Sequence, residues 1–182
     1  GPTILLMAGM HGDETNGIEI VRRAIHTDLY HPTRGTVIAI PILNVYGFIN
    51  HTRGLPDGKD LNRSFPGVEN GSLASRVAHY FSNEMLPKID FGLDCHTGGA
   101  SRNNFPQLRG MFDDPRELEI AQAFSAPFMI NSPYRERSLR KTAAKAGTSI
   151  LVFEGGQTLR LRKQVIDQGI QGIHRVMYHF KM

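Results

Sequence analysis

Two residues with metal-binding side chains, His11 and Glu14, stand three positions apart in the glycine-rich stretch "MAGMHGDETNG". Neutral imidazole and carboxylate groups are good zinc ligands, and so short a spacer lets one loop supply two of them. A third candidate, His96, lies in "DCHTGG", 85 positions after His11. Two histidines and one glutamate leave a fourth zinc position open for water, which is the pattern of catalytic rather than structural sites. We therefore expect one zinc ion per chain, bound by these three residues.

A fourth candidate functional residue, Glu154, ends the apolar run "SILVFE" and is followed by two glycines. A carboxylate in such a place is costly unless it has a partner or a task. As a general base it could take a proton from water and pass it to a leaving nitrogen. The alternative, a glutamate at a strand end that points into solvent, is equally compatible with these residues alone.

The long irregular segment from residue 44 to residue 71 contains Arg53, Asn62 and Arg63 in the stretch "NHTRGLPDGKDLNRSFPG". Guanidinium groups bind carboxylates through two parallel hydrogen bonds and stabilise oxyanions. Loops of this length are usually functional or disordered. The arginines favour an anionic ligand, although loop arginines in water are the usual case for any single one of them.

Two further segments carry polar side chains close to these motifs. The stretch "SRNNFPQLRG" directly follows "DCHTGG", so that Asn103, Asn104 and Arg109 could line the same pocket, with a solvated loop as the alternative. Of these three residues, we expect Arg109 to bind the substrate. The stretch "YRERSLRKTAAK" contains five basic residues. For this second segment we favour a solvated helix face over a cationic rim above the site.

Apolar runs with the length of strands precede or contain the candidate residues. They read "TILLMAG", "TVIAIPI", "DFGLDC", "FMIN" and "SILVFE". Strands that are apolar throughout and alternate with helices indicate an α/β fold. We expect a mostly parallel or mixed twisted sheet with helices on both faces. Ligands of such sheets bind at the carboxyl ends of the strands, where the polar motifs fall.

Four segments place apolar residues at helical spacing. They read "NGIEIVRRAIHTDLY", "SLASRVAHYFSNEML", "DDPRELEIAQAFSA" and, at the end, the stretch from Val165 to Met177. In the first of them the apolar pattern continues to Leu29. Ser72 is a suitable N-cap for the second, and an aspartate followed by Pro115 predicts the start of the third.

The composition excludes several classes of protein. The 182 residues fit one domain with a core, and 40% hydrophobic with 21% charged residues is ordinary for a globular protein. No apolar run approaches the ~20 residues of a membrane helix, and the start lacks the pattern of a signal peptide. The single cysteine, Cys95, fits a reducing compartment, so that we expect a cytoplasmic protein. A net charge of +4 without a recognition motif is weak evidence for nucleic-acid binding, which we do not expect.

Four motifs in this order carry a resemblance to a known family. The stretches "GMHGDETNG", "DLNRSFPG", "DCHTGG" and "FEGG" are similar to those of the succinylglutamate desuccinylase and aspartoacylase family, within the zinc carboxypeptidase fold group. Each motif is weak alone, but four in order with this spacing are specific. The resemblance covers nearly the whole chain, from about Thr3 to the final helix.

The resemblance implies a role for each candidate residue. His11, Glu14 and His96 would bind zinc, and Asp60 would accept a hydrogen bond from the His11 ring and fix its tautomer.

By the same resemblance, Arg53 would polarise the scissile carbonyl and hold the developing oxyanion. Asn62 and Arg63 would hold the carboxylate of the substrate. Glu154 would act first as general base and then as acid. The implied reaction is hydrolysis of the amide bond of a small, anionic N-acyl amino acid or related amine.

The sequence also departs from the family. Members usually carry a segment before the first strand and a small β domain after the last helix, so we expect residues 1–182 to be a single catalytic domain cut from a longer protein. Relatives also use a tyrosine near the site, but neither Tyr134 nor Tyr178 lies in a matching motif and neither is assigned. A peptide carboxypeptidase and a metal-free binding domain remain alternatives, and an oligomer is possible.

Overall fold

The computed structural model describes residues 1–27 and 31–182, so that Leu29 lies outside the described residues. Within them, six strands form one sheet in the order β2-β1-β3-β6-β4-β5. The strands are β1 (Thr3–Ala8), β2 (Thr36–Ile40), β3 (Phe91–Gly98), β4 (Asn104–Gly110), β5 (Phe128–Asn131) and β6 (Ser149–Gln157). Strands β2, β1, β3 and β6 are parallel, whereas β4 pairs antiparallel with β6 and parallel with β5. The predicted α/β fold with a mostly parallel, mixed sheet is confirmed.

Helices cover both faces of the sheet. In the described part of the chain they are α1 (Thr15–Ile25), α2 (Val45–Ile49), α3 (Leu73–Tyr80), α4 (Pro115–Phe124), α5 (Leu139–Lys145) and α6 (Lys163–His179). A π-helical turn (Phe81–Met85) and a 3-10 turn (Leu86–Lys88) continue α3, and a further 3-10 turn spans Leu61–Arg63.

The alternation of side chains along β1 divides the core into two parts. Ile4 and Leu6 pack with apolar residues of α1, α4 and α6 on one face, whereas Leu5 and Met7 pack with residues of α3 and α5 on the other. Successive side chains of a strand point to opposite faces, so an entirely apolar strand is what two covered faces require.

The predicted helix starts form through side-chain caps. The Ser72 hydroxyl accepts a hydrogen bond from the Ser75 amide at 3.4 Å. The Asp114 carboxylate accepts from the amides of Arg116 and Glu117 at 2.8 and 3.2 Å, with Pro115 at the first helical position. Each cap satisfies amides that a helix start leaves without an intrahelical acceptor.

Three elements differ from the expectation. The segment that contains Arg109 forms strand β4 rather than a loop, which its pattern hides because Pro106 interrupts it and Leu108 is its only large buried aliphatic residue. Strands β3 and β6 continue beyond their apolar runs, so that His96 and Glu154 lie inside strands and are direct neighbours in the register.

Within residues 1–27 and 31–182, no helix has the length and apolarity needed to cross a bilayer.

Candidate active site

The side chains of His11, Glu14 and His96 meet in one buried cluster. His11 and Glu14 lie in the turn between β1 and α1, and His96 lies near the end of β3. Glu14 Oε1 is 2.8 Å from His11 Nδ1, and Glu14 Oε2 is 2.8 Å from His96 Nδ1. One ligand atom from each residue lies within 4.8 Å of the other two. The structure therefore brings the three candidate ligands together, at a spacing that could hold a metal ion.

A carboxylate lies behind each imidazole. His11 Nε2 is 3.1 Å from Asp60 Oδ1, and His96 Nε2 is 2.7 Å from Asp94 Oδ2. In a neutral imidazole the single N–H donates to this carboxylate, which turns the Nδ1 lone pair towards the centre of the cluster. Asp60 stands where the resemblance placed it. Asp94 was missed, although the pattern D-x-H within a strand puts both side chains on one face.

The chemistry of these donors fits a cation. With both Nε2 atoms protonated, two imidazole lone pairs and the Glu14 carboxylate face one another, an arrangement that needs a positive charge between them. Metal-ligating histidines commonly have such carboxylate partners on their second nitrogen. The residues present thus match the set that zinc prefers in catalytic sites.

The acid–base equilibria of the cluster point the same way. Burial opposes charging of the His11 ring, yet hydrogen bonds to Asp60 and Glu14 raise its pKa. Burial opposes charging of His96 as well, but the charges of Asp94 and Glu14 raise its pKa well above the usual value. For Glu14, burial favours the neutral acid, but the two imidazoles hold the pKa of the carboxyl well below its usual range. The cluster is therefore a strong site for positive charge.

Arg53 reaches the cluster from the long loop. Its Nη1 donates to Glu14 Oε1 at 3.2 Å, and its Nε and Nη2 donate to Asp60 Oδ2 at 3.1 and 3.0 Å. Space for this guanidinium depends on Gly99, where a β-carbon would lie 3.1 Å from Arg53 Nη1. Burial raises the pKa of Asp60, but His11 and Arg53 together lower it well below its usual range. A positive group thus stands beside the candidate metal position.

Asn62 and Arg63 follow Asp60 in a 3-10 turn that Asp60 itself caps. Asp60 Oδ1 accepts from the Asn62 amide at 2.8 Å. The side-chain oxygen of Asn62 accepts from the Leu139 amide at 3.0 Å, so the turn is fastened to the start of α5. Arg63 donates to the Asn62 carbonyl at 2.5 Å, and both side chains line the cleft.

The cleft that contains these groups has a volume of about 380 Å³. Its lining includes Arg102 and Arg109 from the region of β4, and Arg135 and Arg140 from the region of α5. The preference for a solvated helix face over a cationic rim is therefore wrong for Arg135 and Arg140 of "YRERSLRKTAAK", since both line the cleft. Packing of α5 against β6 brings Arg140 there.

Glu154 lies on the wall of the cleft and contacts β4. Its Oε2 accepts a hydrogen bond from Asn104 Nδ2 at 2.5 Å and lies 3.3 Å from Arg109 Nη2. Its side chain is 17% exposed. Glu154 thus faces the cleft with partners, rather than pointing freely into solvent.

Two tyrosines and the cysteine are not among the residues that line the cleft. Tyr178 is 82% exposed on α6, and the Tyr134 hydroxyl donates to Glu117 at 2.7 Å. Neither tyrosine lines the cleft. Cys95 packs in the core on the opposite side of β3 from His96, as expected, and burial raises the pKa of its thiol.

Together these features define a class: an α/β domain with a buried histidine–glutamate–histidine cluster in an arginine-lined cleft at the carboxyl edge of its sheet. Comparison with known proteins identifies the family. The chain belongs to the succinylglutamate desuccinylase/aspartoacylase catalytic domain family, whose model matches residues 1–180. The resemblance of the four motifs is thereby confirmed.

Individual relatives are longer than this chain. It is 38% identical over 136 residues to an N-alpha-acetyl-L-2,4-diaminobutyric acid deacetylase of Halomonas elongata, covering 71% of this chain and 40% of the relative. A succinylglutamate desuccinylase/aspartoacylase structure from Rhodobacter sphaeroides matches with a TM-score of 0.89 and 31% identity, over 98% of this chain and 55% of that one. The product-bound ectoine utilization protein EutE (DoeB) from Ruegeria pomeroyi matches with a TM-score of 0.89 and 26% identity, over 98% and 57%. The chain thus spans about half the length of these relatives.

Proposed function

We propose that this protein is a zinc-dependent hydrolase that cleaves the amide bond of a small, anionic N-acyl amino acid or related amine. The observation that carries the proposal is the buried cluster of His11, Glu14 and His96, with its inward-facing Nδ1 atoms, at the base of an arginine-lined cleft. Membership of the family and the likeness to the Halomonas deacetylase support the reaction class.

Zinc would be held by His11 Nδ1, His96 Nδ1 and the Glu14 carboxylate. When bound there, it would lower the pKa of a water molecule toward ~7 and polarise a carbonyl oxygen. The carboxylates of Asp60 and Asp94 would keep both imidazoles in the orientation and tautomer that this requires.

Arg53 would stabilise the charge that develops on the carbonyl oxygen during attack. Its guanidinium lies beside Glu14 and is fixed by two hydrogen bonds to Asp60. A donor fixed before the reaction loses little free energy to reorganisation when the charge develops, which is why such donors are effective.

Glu154 would move the proton. In the overall reaction, water adds to the carbonyl carbon, the carbon–nitrogen bond breaks, and a carboxylic acid and an amine are released. The Glu154 carboxylate would accept a proton from the attacking water and deliver it to the leaving nitrogen. Its place on the cleft wall, one strand away from His96, suits this transfer.

The cleft favours an anionic substrate. Among the described residues, Arg63, Arg102 and Arg135 line it without an ion pair to an acidic side chain, unlike Arg53 and Arg109. We assign Asn62 and Arg63 to the substrate carboxylate because they share one turn at the cleft edge. Bidentate hydrogen bonds from arginine are the common way to recognise a carboxylate.

A substrate panel and a metal analysis test the proposal together. Metal analysis of the purified protein should give about one zinc per chain, and removal of the zinc by a chelator should abolish hydrolysis until it is restored. The panel compares N-acetyl and N-succinyl amino acids, including Nα-acetyl-2,4-diaminobutyrate, with blocked dipeptides. Hydrolysis of the peptides alone would replace the deacylase proposal by a carboxypeptidase. Zinc binding without any hydrolysis would leave a metal-binding domain.

A further inference from the structure

A β-bulge in β4 places three of its side chains on the face that Glu154 occupies. Gln107 pairs with Glu154 and Arg109 with Val152, but Asn104 pairs with Gly156. Between these pairs β4 contains two residues, Phe105 and Pro106, against the single Gly155 on β6. The additional residue is the signature of a bulge.

The bulge decides which way Asn104 points. Side chains alternate along a strand, so Asn104 and Gln107, three positions apart, would lie on opposite faces of a regular ladder. One additional residue between them restores the match, and Asn104 then shares the face of Glu154 and Arg109. Proline fits the bulge because it has no amide hydrogen to contribute to the ladder.

Asn104 and Arg109 both contact the same carboxylate oxygen of Glu154. Asn104 Nδ2 is 2.5 Å and Arg109 Nη2 is 3.3 Å from Oε2. Within the described residues, Oε1 has no hydrogen-bond partner, so one oxygen is anchored and the other is left to the cleft. Within the described part of the chain, this contact is the only ion pair that Arg109 forms.

We propose that Asn104 and Arg109 are positioning residues that hold Glu154 through Oε2 and present Oε1 as the atom that exchanges the proton. This inference rests on the proposed function. It also changes the expectation for Arg109, which acts through Glu154 rather than by binding the substrate. A misplacement of a reacting group by about 1 Å can cost about 100-fold in rate, so an anchor of this kind is worth a measurable factor.

The test is a double-mutant cycle with Glu154→Gln, read through kcat and KM separately. Asn104→Ala and Arg109→Gln are each expected to lower kcat about 10- to 100-fold, with KM within about 2-fold and zinc content unchanged. In the Glu154→Gln background, the same changes are expected to lower kcat by less than about 2-fold, because the group that they position is gone. Gln107→Ala, on the same strand and face but without a hydrogen bond to Glu154, is the matched control and is expected to behave as wild type.

Other outcomes would overturn the inference. A raised KM with unchanged kcat would make Asn104 and Arg109 substrate ligands, and full additivity with Glu154→Gln would show that they act independently of it. Should Asn104→Ala fail to fold, Asn104→Leu keeps nearly the same shape but removes the donor, and it is expected to show the same loss of kcat.

A readout without turnover separates this inference from the proposed function. Crystal structures of the wild type and of Asn104→Ala are expected to show one orientation of the Glu154 carboxylate in the first and several in the second. An unchanged Glu154 in Asn104→Ala would contradict the positioning role even in an active enzyme. Absence of amide hydrolysis by the wild type would instead count against the proposed function alone.

Discussion

Gly17 of α1 lies directly against the backbone of Cys95 in β3, so closely that a β-carbon on Gly17 would lie 2.2 Å from the Cys95 carbonyl oxygen. Gly17 follows Glu14 by three residues, and Cys95 immediately precedes His96. The contact therefore sets the distance between the loop and the strand that supply the candidate metal ligands.

Gly17→Ala is accordingly expected to push α1 away from β3. The contacted atoms belong to the backbone of a central strand and cannot turn aside, so we expect a loss of about 3 kcal/mol in the free energy of unfolding. Zinc affinity should fall as well, because Glu14 moves with the helix. Urea denaturation and metal analysis measure the two effects.

Gly58→Ala is the control for that change. Gly58 has φ +72 with no atom within 4 Å of the added methyl group, so only backbone strain of about 1–2 kcal/mol is expected, with normal zinc binding. A Gly17→Ala protein that is no less stable than Gly58→Ala and keeps its zinc would show that this contact does not control the site.

The carboxylate behind His96 should strengthen metal binding. In Asp94→Asn the His96 ring keeps a hydrogen-bond acceptor but loses the adjacent charge, and we expect zinc affinity to fall about 10- to 100-fold. Asp60→Asn should have a smaller effect, because Asp60 is partly exposed, whereas Asp94 is buried. Competition with a chelator of known affinity gives both values, and an unchanged affinity in Asp94→Asn would contradict the role.

The fold could be predicted where burial restricts a segment to apolar residue types. Strand β1 is covered on both faces and is therefore apolar from Ile4 to Ala8, which identifies it without other information. Strand β4 has no such apolar pattern, because its exposed and bulged positions carry Phe105, Pro106 and polar residues. Its pairing with β6 depends on tertiary contacts that no local pattern encodes.

In the candidate site, too, some residues could be predicted from the sequence and others could not. His11, Glu14 and His96 could be proposed because metal-binding residue types follow predicted strands there and because the motifs occur in a known order. Arg140 could not, since its approach to the cleft depends on how α5 packs against β6. Partnerships between residues distant in the chain, such as Asn104 with Glu154, likewise become visible only in three dimensions.

Arg63 is expected to distinguish acidic from neutral substrates. Its guanidinium lines the cleft and has no acidic partner among the described residues, so it is available to a substrate carboxylate. Arg63→Ala should raise KM for an N-acyl amino acid about 10-fold or more and leave KM for the corresponding neutral amide nearly unchanged. Steady-state kinetics on such a matched pair of substrates test this, and an equal effect on both would remove Arg63 from carboxylate recognition.

Tyr134 is expected to act on stability and not on catalysis. Its hydroxyl donates to Glu117 Oε1 at 2.7 Å, whereas Glu117 Oε2 accepts from the Met111 amide at 2.6 Å. Because Glu117 is buried, Tyr134→Phe leaves Oε1 without this donor, and we expect a loss of about 1–3 kcal/mol in the free energy of unfolding with kcat, KM and zinc content unchanged. Tyr178→Phe, at an exposed position, is the control and should change neither stability nor activity. A fall in kcat without a loss of stability in Tyr134→Phe would instead mean that its hydroxyl leaves Glu117 and reaches the substrate during turnover.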